Sequence, residues 1–162
     1  MELHVHSSFS VDAFQLTLPS AGGEGIHPVA DACDFARYCA NLDFWSINDH
    51  AASLTPRRWQ ETIDTVRRCD ALGGDDPDLV SFLGWEWTQM GSTPDNHYGH
   101  KNVVLRDLED GSIPTRPIAA APASPIWLVS RYSVCRAWLV WSARPTAAAP
   151  SSPLWLVARY SV

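Results

Sequence analysis

The sequence predicts an α/β fold, because strand and helix patterns alternate along its first 112 residues. Polar side chains that can bind metal stand at or just beyond the ends of the predicted strands, where β/α folds carry their functional groups. Of the 162 residues, 46% are hydrophobic, which is enough for one domain with a core. Together these observations predict a soluble β/α domain with a polar site on one rim of its sheet.

The first predicted strand spans residues 2–6 and carries His4 and His6. Strand side chains alternate between two faces, so both imidazoles point the same way, within reach of one ion. Imidazole is the commonest metal ligand in proteins, which makes a metal site the leading hypothesis. Two exposed or hydrogen-bonded histidines are the alternative that this spacing leaves open.

Residues 7–28 are rich in Ser, Gly and Pro and are predicted to form a loop. Asp12 lies in this loop, as a candidate ligand or as a turn former. After the loop, apolar residues at helical spacing predict an amphipathic helix over residues 29–42.

A strand rich in aromatic and branched residues is predicted over residues 42–48, and it leads directly to Asp49 and His50. His50 is a candidate ligand, or else it caps the loop that follows. Thr55 and Pro56 then predict the start of a second helix, as an N-cap followed by proline at the first helical position. The helix is expected to end where two glycines follow it.

Two further strands are predicted over residues 79–88 and 101–106, and strands that alternate with helices indicate parallel β/α units. Glu86 lies in the first of these strands, between two tryptophans. It could be a paired interior carboxylate, but a buried acid without a cation is costly, so we expect it to be a ligand.

Charge is distributed unevenly along the chain. Residues 1–112 hold all 18 acidic residues and seven of the 12 basic ones, a formal charge of −11, whereas residues 113–162 carry five Arg and no acid. The acidic part argues against nucleic acid as a partner, since phosphate backbones need a basic surface, and it suits a protein that holds cations. No run of about 18 or more uncharged apolar residues occurs, so no transmembrane helix is predicted.

The four cysteines, Cys33, Cys39, Cys69 and Cys135, show no Cys-x-x-Cys spacing. The sequence therefore predicts neither a thiolate zinc site nor a disulfide framework. We expect free, mostly buried thiols, which fit a reducing compartment and a cytoplasmic location. No signal peptide is recognisable, because a charged residue follows the first Met and the histidine strand begins at once.

Residues 113–162 differ in kind from the rest of the chain. The segment 116–134 recurs 28 residues later as 144–162, with conservative changes. Two copies are too few for a stable solenoid, and the bias towards Ala, Pro, Ser and Trp does not continue the β/α pattern. We expect an irregular, poorly ordered tail that is foreign to the domain; a partner-binding or membrane-surface segment built on its tryptophans is the alternative.

Four motifs, in this order, resemble the PHP superfamily, named for polymerase and histidinol phosphatase domains. They are ELHVHSS at residues 2–8, DFWSINDH at 43–50, GWEWT at 84–88 and GHKNVV at 99–104. The resemblance covers about residues 2–110 and indicates an uncharacterised branch of metal-dependent hydrolases. It implies a distorted β/α barrel that holds two or three divalent ions, zinc, manganese or iron.

The resemblance also implies a set of metal ligands: His4, His6, Asp12, His50, Glu86 and His100. By that resemblance, the first two histidines bind one ion, Glu86 bridges two, His100 joins the second, and Asp12 with His50 holds a third. Asp49 is expected to orient a ligand without touching metal, because it points away from His50 if the strand continues through both. Metal-activated water would be the nucleophile, and the substrate would be a small phosphoester.

The family's later ligands, a further histidine and an Asp-x-His pair, have no counterpart, since no histidine follows His100. A full barrel needs roughly 200 to 250 residues. We therefore expect a truncated barrel, an amino-terminal fragment with weak metal retention and little or no turnover. Two alternatives stay open: an amidohydrolase-type site, for which Lys101 is the only lysine, and a metal-binding fragment without catalysis.

Overall fold

The computed structural model describes residues 1–74, 77–89, 99–119 and 155–159. In chain order, its main elements are β1 (Glu2–Val5), α1 (Val11–Thr17), α2 (Val29–Asp34), β2 (Phe44–Ile47), α3 (Pro56–Ala71), β3 (Val80–Gln89), β4 (Gly99–Leu105) and β5 (Trp155–Arg159). Single 3-10 turns follow α1 at Pro19–Ala21 and β2 at Ala51–Ser53, and a π-helical turn, Phe35–Cys39, extends α2.

The five strands form one mixed sheet in the order β1-β2-β3-β4-β5. The first three strands are parallel, while β4 and β5 each run antiparallel to the preceding strand. The sheet curves into a half-barrel with helices on its outer face. The predicted α/β class is confirmed at this level; a PHP-type barrel stays a prediction.

The expectation of parallel β/α units is wrong for β4, which pairs antiparallel with β3. Nine residues, 90–98, separate the two strands, whereas a parallel crossover needs about a dozen residues or more. Antiparallel pairing sets the amino end of β4 beside the carboxyl end of β3. His100 thereby lies opposite Thr88 in the ladder, two pairs from Glu86 and on the same face of the sheet.

The hydrophobic core lies between the outer face of the sheet and the helices. Trp45 and Ile47 of β2 and Leu83 and Trp85 of β3 are buried in one core with residues of α2 and α3. Their spacing of two puts these residues on one face of their strands, and leaves the alternate residues on the inner, concave face. The outer face therefore buries apolar side chains, whereas the inner face combines polar residues with Phe44 and Phe82.

The start and end of α3 confirm the sequence prediction. The Thr55 side chain accepts a hydrogen bond from the backbone N–H of Arg58 at 3.3 Å, and Pro56 occupies the first helical position. At the other end, Gly74 adopts a positive φ of 59°, a conformation that glycine takes without steric cost.

The predicted helix over residues 29–42 is shorter and less regular than expected. Its α-helical part ends at Asp34 and passes into the π-helical turn. Asn41 then adopts a left-handed conformation, and the N–H of Leu42 bonds to the carbonyl of Ala36 at 2.9 Å. This bond spans one residue more than the 6→1 bond that usually closes a helix at a left-handed residue, because the wider π-helical turn precedes it.

The predicted loop over residues 7–28 is wrong in part, because it contains α1 and a 3-10 turn. The N–H of Phe14 bonds to the carbonyl of Ser10, and Asp12 stands in the first helical turn, where a carboxylate is favourable. None of the α1 residues is buried. A helix with no buried stripe has no apolar periodicity, which is why the sequence pattern missed it.

The expectation of free thiols is also wrong for two of the cysteines. Cys33 in α2 and Cys69 in α3 form a disulfide, with their Cα atoms 6.2 Å apart. Cys39 is free, but it is exposed rather than buried. The two bonded cysteines lie 36 residues apart, and only the packing of α2 on α3 brings them together. Cys135 lies outside the described residues.

Most of the segment 113–162, for which an irregular, foreign tail is predicted, lies outside the described residues. Within it, Trp155–Arg159 forms β5 and pairs with β4. In the described ranges of the chain, no helix is long and apolar enough to cross a membrane.

Candidate metal centre

The inner face of the half-barrel collects the predicted ligands at one end. His4 and His6 come from β1 and the residue after it, and His50 follows β2. His50 forms an isolated parallel bridge with Glu86 of β3, three residues beyond the last pair of the β2–β3 ladder. Side-chain alternation and the curvature of the sheet thus bring ligand side chains from three neighbouring strands into one cluster.

Three ligand atoms form a tight triangle at the centre of the cluster. His4 Nε2 lies 3.1 Å from both His6 Nε2 and Glu86 Oε2, and His6 Nε2 lies 2.8 Å from the same oxygen. Two ligands of one zinc-like ion lie about 2.9 Å apart at octahedral angles and about 3.3 Å apart at tetrahedral angles. The donor spacing therefore fits a shared cation.

The other carboxylate oxygen of Glu86, Oε1, faces β4. Glu86 Oε1 is in close contact with His100 Nδ1, and His50 Nδ1 lies 3.5 Å from Glu86 Oε2. Glu86 itself is only 1% exposed. A carboxylate with one oxygen on each side can hold two cations at once, so the arrangement offers a second ion position beside the first.

Asp12 stands at the mouth of the cluster, with 54% of its side chain exposed. Its carboxylate lies 3.4 Å from His6 Nδ1 and 3.3 Å from His50 Nε2. Since Nε2 of His6 already belongs to the triangle, Asp12 faces the second nitrogen of that ring. A carboxylate in that place fixes the tautomer and orientation of a ligating histidine, and it can also reach an ion at the mouth.

The six residues predicted as ligands therefore lie together. Their ligand atoms fall into three groups, each within 4.8 Å: His4, His6 and Glu86; His6, Asp12 and His50; and His50, Glu86 and His100. The donors are imidazole nitrogens and carboxylate oxygens, a mixture that zinc, manganese and iron accept. The residues present fit such an ion.

Asp49 lies beneath the cluster and is 1% exposed. Its carboxylate accepts hydrogen bonds from the N–H and hydroxyl of Ser7, at 2.8 and 2.7 Å, and from the hydroxyl of Ser10 at 2.7 Å. Ser10 Oγ in turn accepts from the N–H of His50 at 2.9 Å. Asp49 is thus a buried acceptor that orients backbone and hydroxyl groups rather than an imidazole ring, and its role in orienting a metal ligand stays a prediction.

The charges of the cluster shift the pKa values of its members. Burial alone would raise the pKa of Glu86, but hydrogen bonds from His4 and His6, the charge of His50 and a hydrogen bond from His100 bring it well below its ordinary value. Burial lowers the pKa of His6, but its hydrogen bond to Glu86 and the charge of Asp12 outweigh burial, and the net shift is upward.

Asp12 shows the same pattern as Glu86. Burial raises the pKa of its carboxyl, while a hydrogen bond from the N–H of Ala13 and the charges of His6 and His50 lower it, with a net decrease. Both carboxyl groups are thus held ionised against a ring of imidazoles. Negative charge surrounded by imidazole nitrogens is the electrostatic environment that a divalent cation favours.

Sequence reasoning missed Thr88, whose hydroxyl lies 2.9 Å from His50 Nδ1 and 3.4 Å from Glu86 Oε1. Its position two residues after Glu86 places it on the same face of β3, which is the signal that could have found it. His27 pairs with Asp31 at 3.2 Å and belongs to none of the three groups. His97 lies outside the described residues.

Comparison of this chain with protein-family models, with curated proteins and with solved structures gave no match.

Proposed function

We propose that the six-residue cluster is a divalent-metal centre and that it serves hydrolysis of a phosphoester. The observation that carries the proposal is the triangle of His4 Nε2, His6 Nε2 and Glu86 Oε2, with sides of 2.8 to 3.1 Å. Three basic atoms from two strands have no packing reason to converge so closely. A cation between them would be held by all three atoms.

The proposed centre would hold two ions that share Glu86. His4 and His6 would hold the first with Glu86, and His50 and His100 would hold the second with it. Each imidazole then uses one nitrogen, as a neutral ring can. Asp12 remains for a third ion or as the acceptor for His6 Nδ1.

When bound, a pair of divalent cations activates water and stabilises the charge of a phosphoryl group. The chain itself supplies the positions: Glu86 fixes the separation of the ions, Thr88 orients His50, and Asp12 stands at the solvent-facing mouth. The choice of a phosphoester over a carbon centre rests on the resemblance of the four motifs to the PHP superfamily.

The position of Lys101 weighs against the amidohydrolase alternative. That chemistry commonly uses a modified lysine as the bridging ligand, and Lys101 is the only lysine of the chain. Its Nζ lies 4.7 Å from the ring centre of Trp87, on the outer face of the sheet. Glu86, on the inner face, is the group in the bridging position.

The test is metal binding by the whole chain, freed of metal and titrated with Zn²⁺ and Mn²⁺. We expect at least one tightly held ion per chain, and loss of binding in the His4→Ala, His6→Ala double variant. His27→Ala is the matched control, because it removes an exposed histidine that lies outside the cluster. Equal binding by wild type and double variant would overturn the metal centre.

Hydrolysis is tested separately, with a panel of phosphomonoesters and phosphodiesters beside amide and lactone substrates. Metal-dependent release of phosphate, abolished in the double variant, supports the phosphoesterase. Turnover of an amide or lactone alone would favour the amidohydrolase alternative. Metal binding without turnover of any substrate would contradict the hydrolytic part of the proposal and leave a metal-binding fragment.

A further inference from the structure

We infer that two buried amides, Asn102 and Asn48, are positioning residues that hold the His4 strand against Glu86. The inference rests on the proposed metal centre, because it concerns how one of its ligands is placed. Both amides reach the carbonyl oxygen of Leu3, the residue before His4: Asn102 Nδ2 at 2.9 Å and, in the amide orientation that satisfies its surroundings, Asn48 Nδ2 at 3.0 Å.

The bond from Asn102 crosses the interior of the half-barrel. β1 and β4 are not neighbours, since β2 and β3 lie between them in the sheet. Three strand spacings in a flat sheet would separate them by about 14 Å, far beyond the reach of an asparagine. The bond therefore exists only because the sheet curls, and it ties the two strands together across that curl.

The backbone around His4 depends on side chains for its hydrogen bonds. The ladder between β1 and β2 shifts register between Glu2 and Val5, so regular pairing is interrupted there. The N–H of His4 donates to the Glu2 carboxylate at 2.9 Å. The carbonyl oxygen of Leu3 accepts hydrogen bonds from both asparagine amides. Where the pairing of a strand is irregular, such side-chain bonds fix the backbone position that ladder hydrogen bonds would otherwise fix.

Asn102 is placed to link His4 with its partner in the triangle. It lies directly opposite Glu86 in the β3–β4 ladder, on the same inner face. Asn102 is 4% exposed and Asn48 is fully buried, so water does not compete for their donors. The β3–β4 ladder thus fixes the position of Glu86, and the two amides fix the backbone beside His4. Together they set the short contact between His4 Nε2 and Glu86 Oε2.

Gly84 provides the space that Asn48 needs. A Cβ atom on Gly84 would lie 2.5 Å from the carbonyl oxygen of Val103 and 2.7 Å from the Asn48 amide, whose oxygen faces Gly84 in the orientation described above. Any side chain there would displace the amide or the neighbouring strand. The glycine of the GWEWT motif therefore serves the placement of β1 as well as the packing of β3 on β4.

The experiment is a double-mutant cycle on Zn²⁺ affinity in the whole chain, measured by competition with a chromophoric chelator. Asn102→Leu, which keeps the volume and removes the donor, is made in the wild type and in His4→Ala. We expect Asn102→Leu to weaken the first Zn²⁺ by about 10- to 100-fold in the wild type, the range seen when outer partners of metal ligands are removed. In His4→Ala the same change should cost less than about threefold, because the ligand it positions is gone.

Three further variants guard the result. Asn48→Leu should repeat the dependence on His4, and Asn102→Ser removes the reach to Leu3 if leucine is not tolerated. Thr62→Val is the matched control, since it deletes another buried side-chain bond to a backbone carbonyl, Thr62 Oγ1 to Arg58 O at 2.9 Å, inside α3. It should leave Zn²⁺ affinity unchanged.

Visible absorption of the Co²⁺-loaded protein gives a readout that a general loss of stability would not reproduce. The spectrum of Asn102→Leu should take the band shape of His4→Ala, because the ion loses the same ligand. An equal loss of affinity in both backgrounds, or a wild-type band shape at reduced amplitude, would overturn the positioning role. A wild type that binds no Zn²⁺ overturns the metal centre itself, whereas tight wild-type binding with an unaltered Asn102→Leu variant overturns this inference alone.

Discussion

The two faces of the sheet are built from the same strands but obey different rules. On the outer face, Leu83 and Trp85 pack into a core whose stability comes from apolar area removed from water. On the inner face, Glu86 is just as buried, yet it is surrounded by imidazoles and hydrogen-bond donors. The comparison teaches that neighbouring residues of β3 have different roles: Trp85 stabilises the core, and Glu86 places a negative charge in the ligand cluster.

The largest expected effect comes from the outer face. Leu83→Ala should lower the free energy of unfolding by about 2–5 kcal/mol, because Leu83 is fully buried and its removal leaves a cavity. The number of Zn²⁺ ions bound by the folded variant should not change. Urea unfolding and metal analysis check the two statements, and Val80→Ala, at the exposed start of β3, is the control. A loss of bound metal in a folded Leu83→Ala protein would contradict the view that the outer face determines stability and the inner face metal binding.

A smaller effect is expected from the inner face of the same strand. Glu86→Gln keeps the shape of the side chain but removes the charge that both proposed ions share. Zn²⁺ affinity should fall at least about 100-fold, the upper end of the range for partners that only orient ligands. Isothermal titration measures it, with Glu61→Gln on the exposed surface of α3 as the control. Unaltered binding would show that Glu86 is only a structural acid.

The smallest effect is the pH dependence of the metal-free protein. The pKa of Glu86 is lowered in the folded state, so its contribution to stability is present above its ordinary value of 4.5 and is lost as pH falls below it. The pKa of His6 is raised, so its contribution is present below 6.5 and is lost as pH rises through the folded pKa. Stability should therefore peak between about pH 5 and 6.5.

Chemical denaturation from pH 4 to 8 checks that profile, and the decline at high pH should be reduced in His6→Ala. Metal binding should show the opposite slope, since protons compete with cations for imidazole nitrogens and affinity rises with pH. A metal affinity that falls as pH rises from 5 to 7 would contradict histidine ligation.

Much of the fold and the cluster could be predicted because the signals are local. The His-x-His spacing, the N-cap of α3 and the alternation around Glu86 each depend on the neighbours of a residue in the chain. The disulfide between Cys33 and Cys69, the antiparallel β4 and the amide of Asn102 depend instead on contacts across 14 to 99 residues. The spacing of apolar residues along the chain does not reveal such contacts, although the short connection between β3 and β4 could have indicated that β4 runs antiparallel.

Asp12 differs from the other members of the cluster in how it is attached. The strands that carry the remaining ligands are anchored in the core, whereas α1 buries none of its seven residues. A segment with so little buried surface opens locally at a low free-energy cost, so its amide hydrogens should exchange with solvent sooner than those of β2 or β3. The α1 segment at the mouth of the cluster could then move aside for an arriving molecule, while the histidines on the strands stay in place.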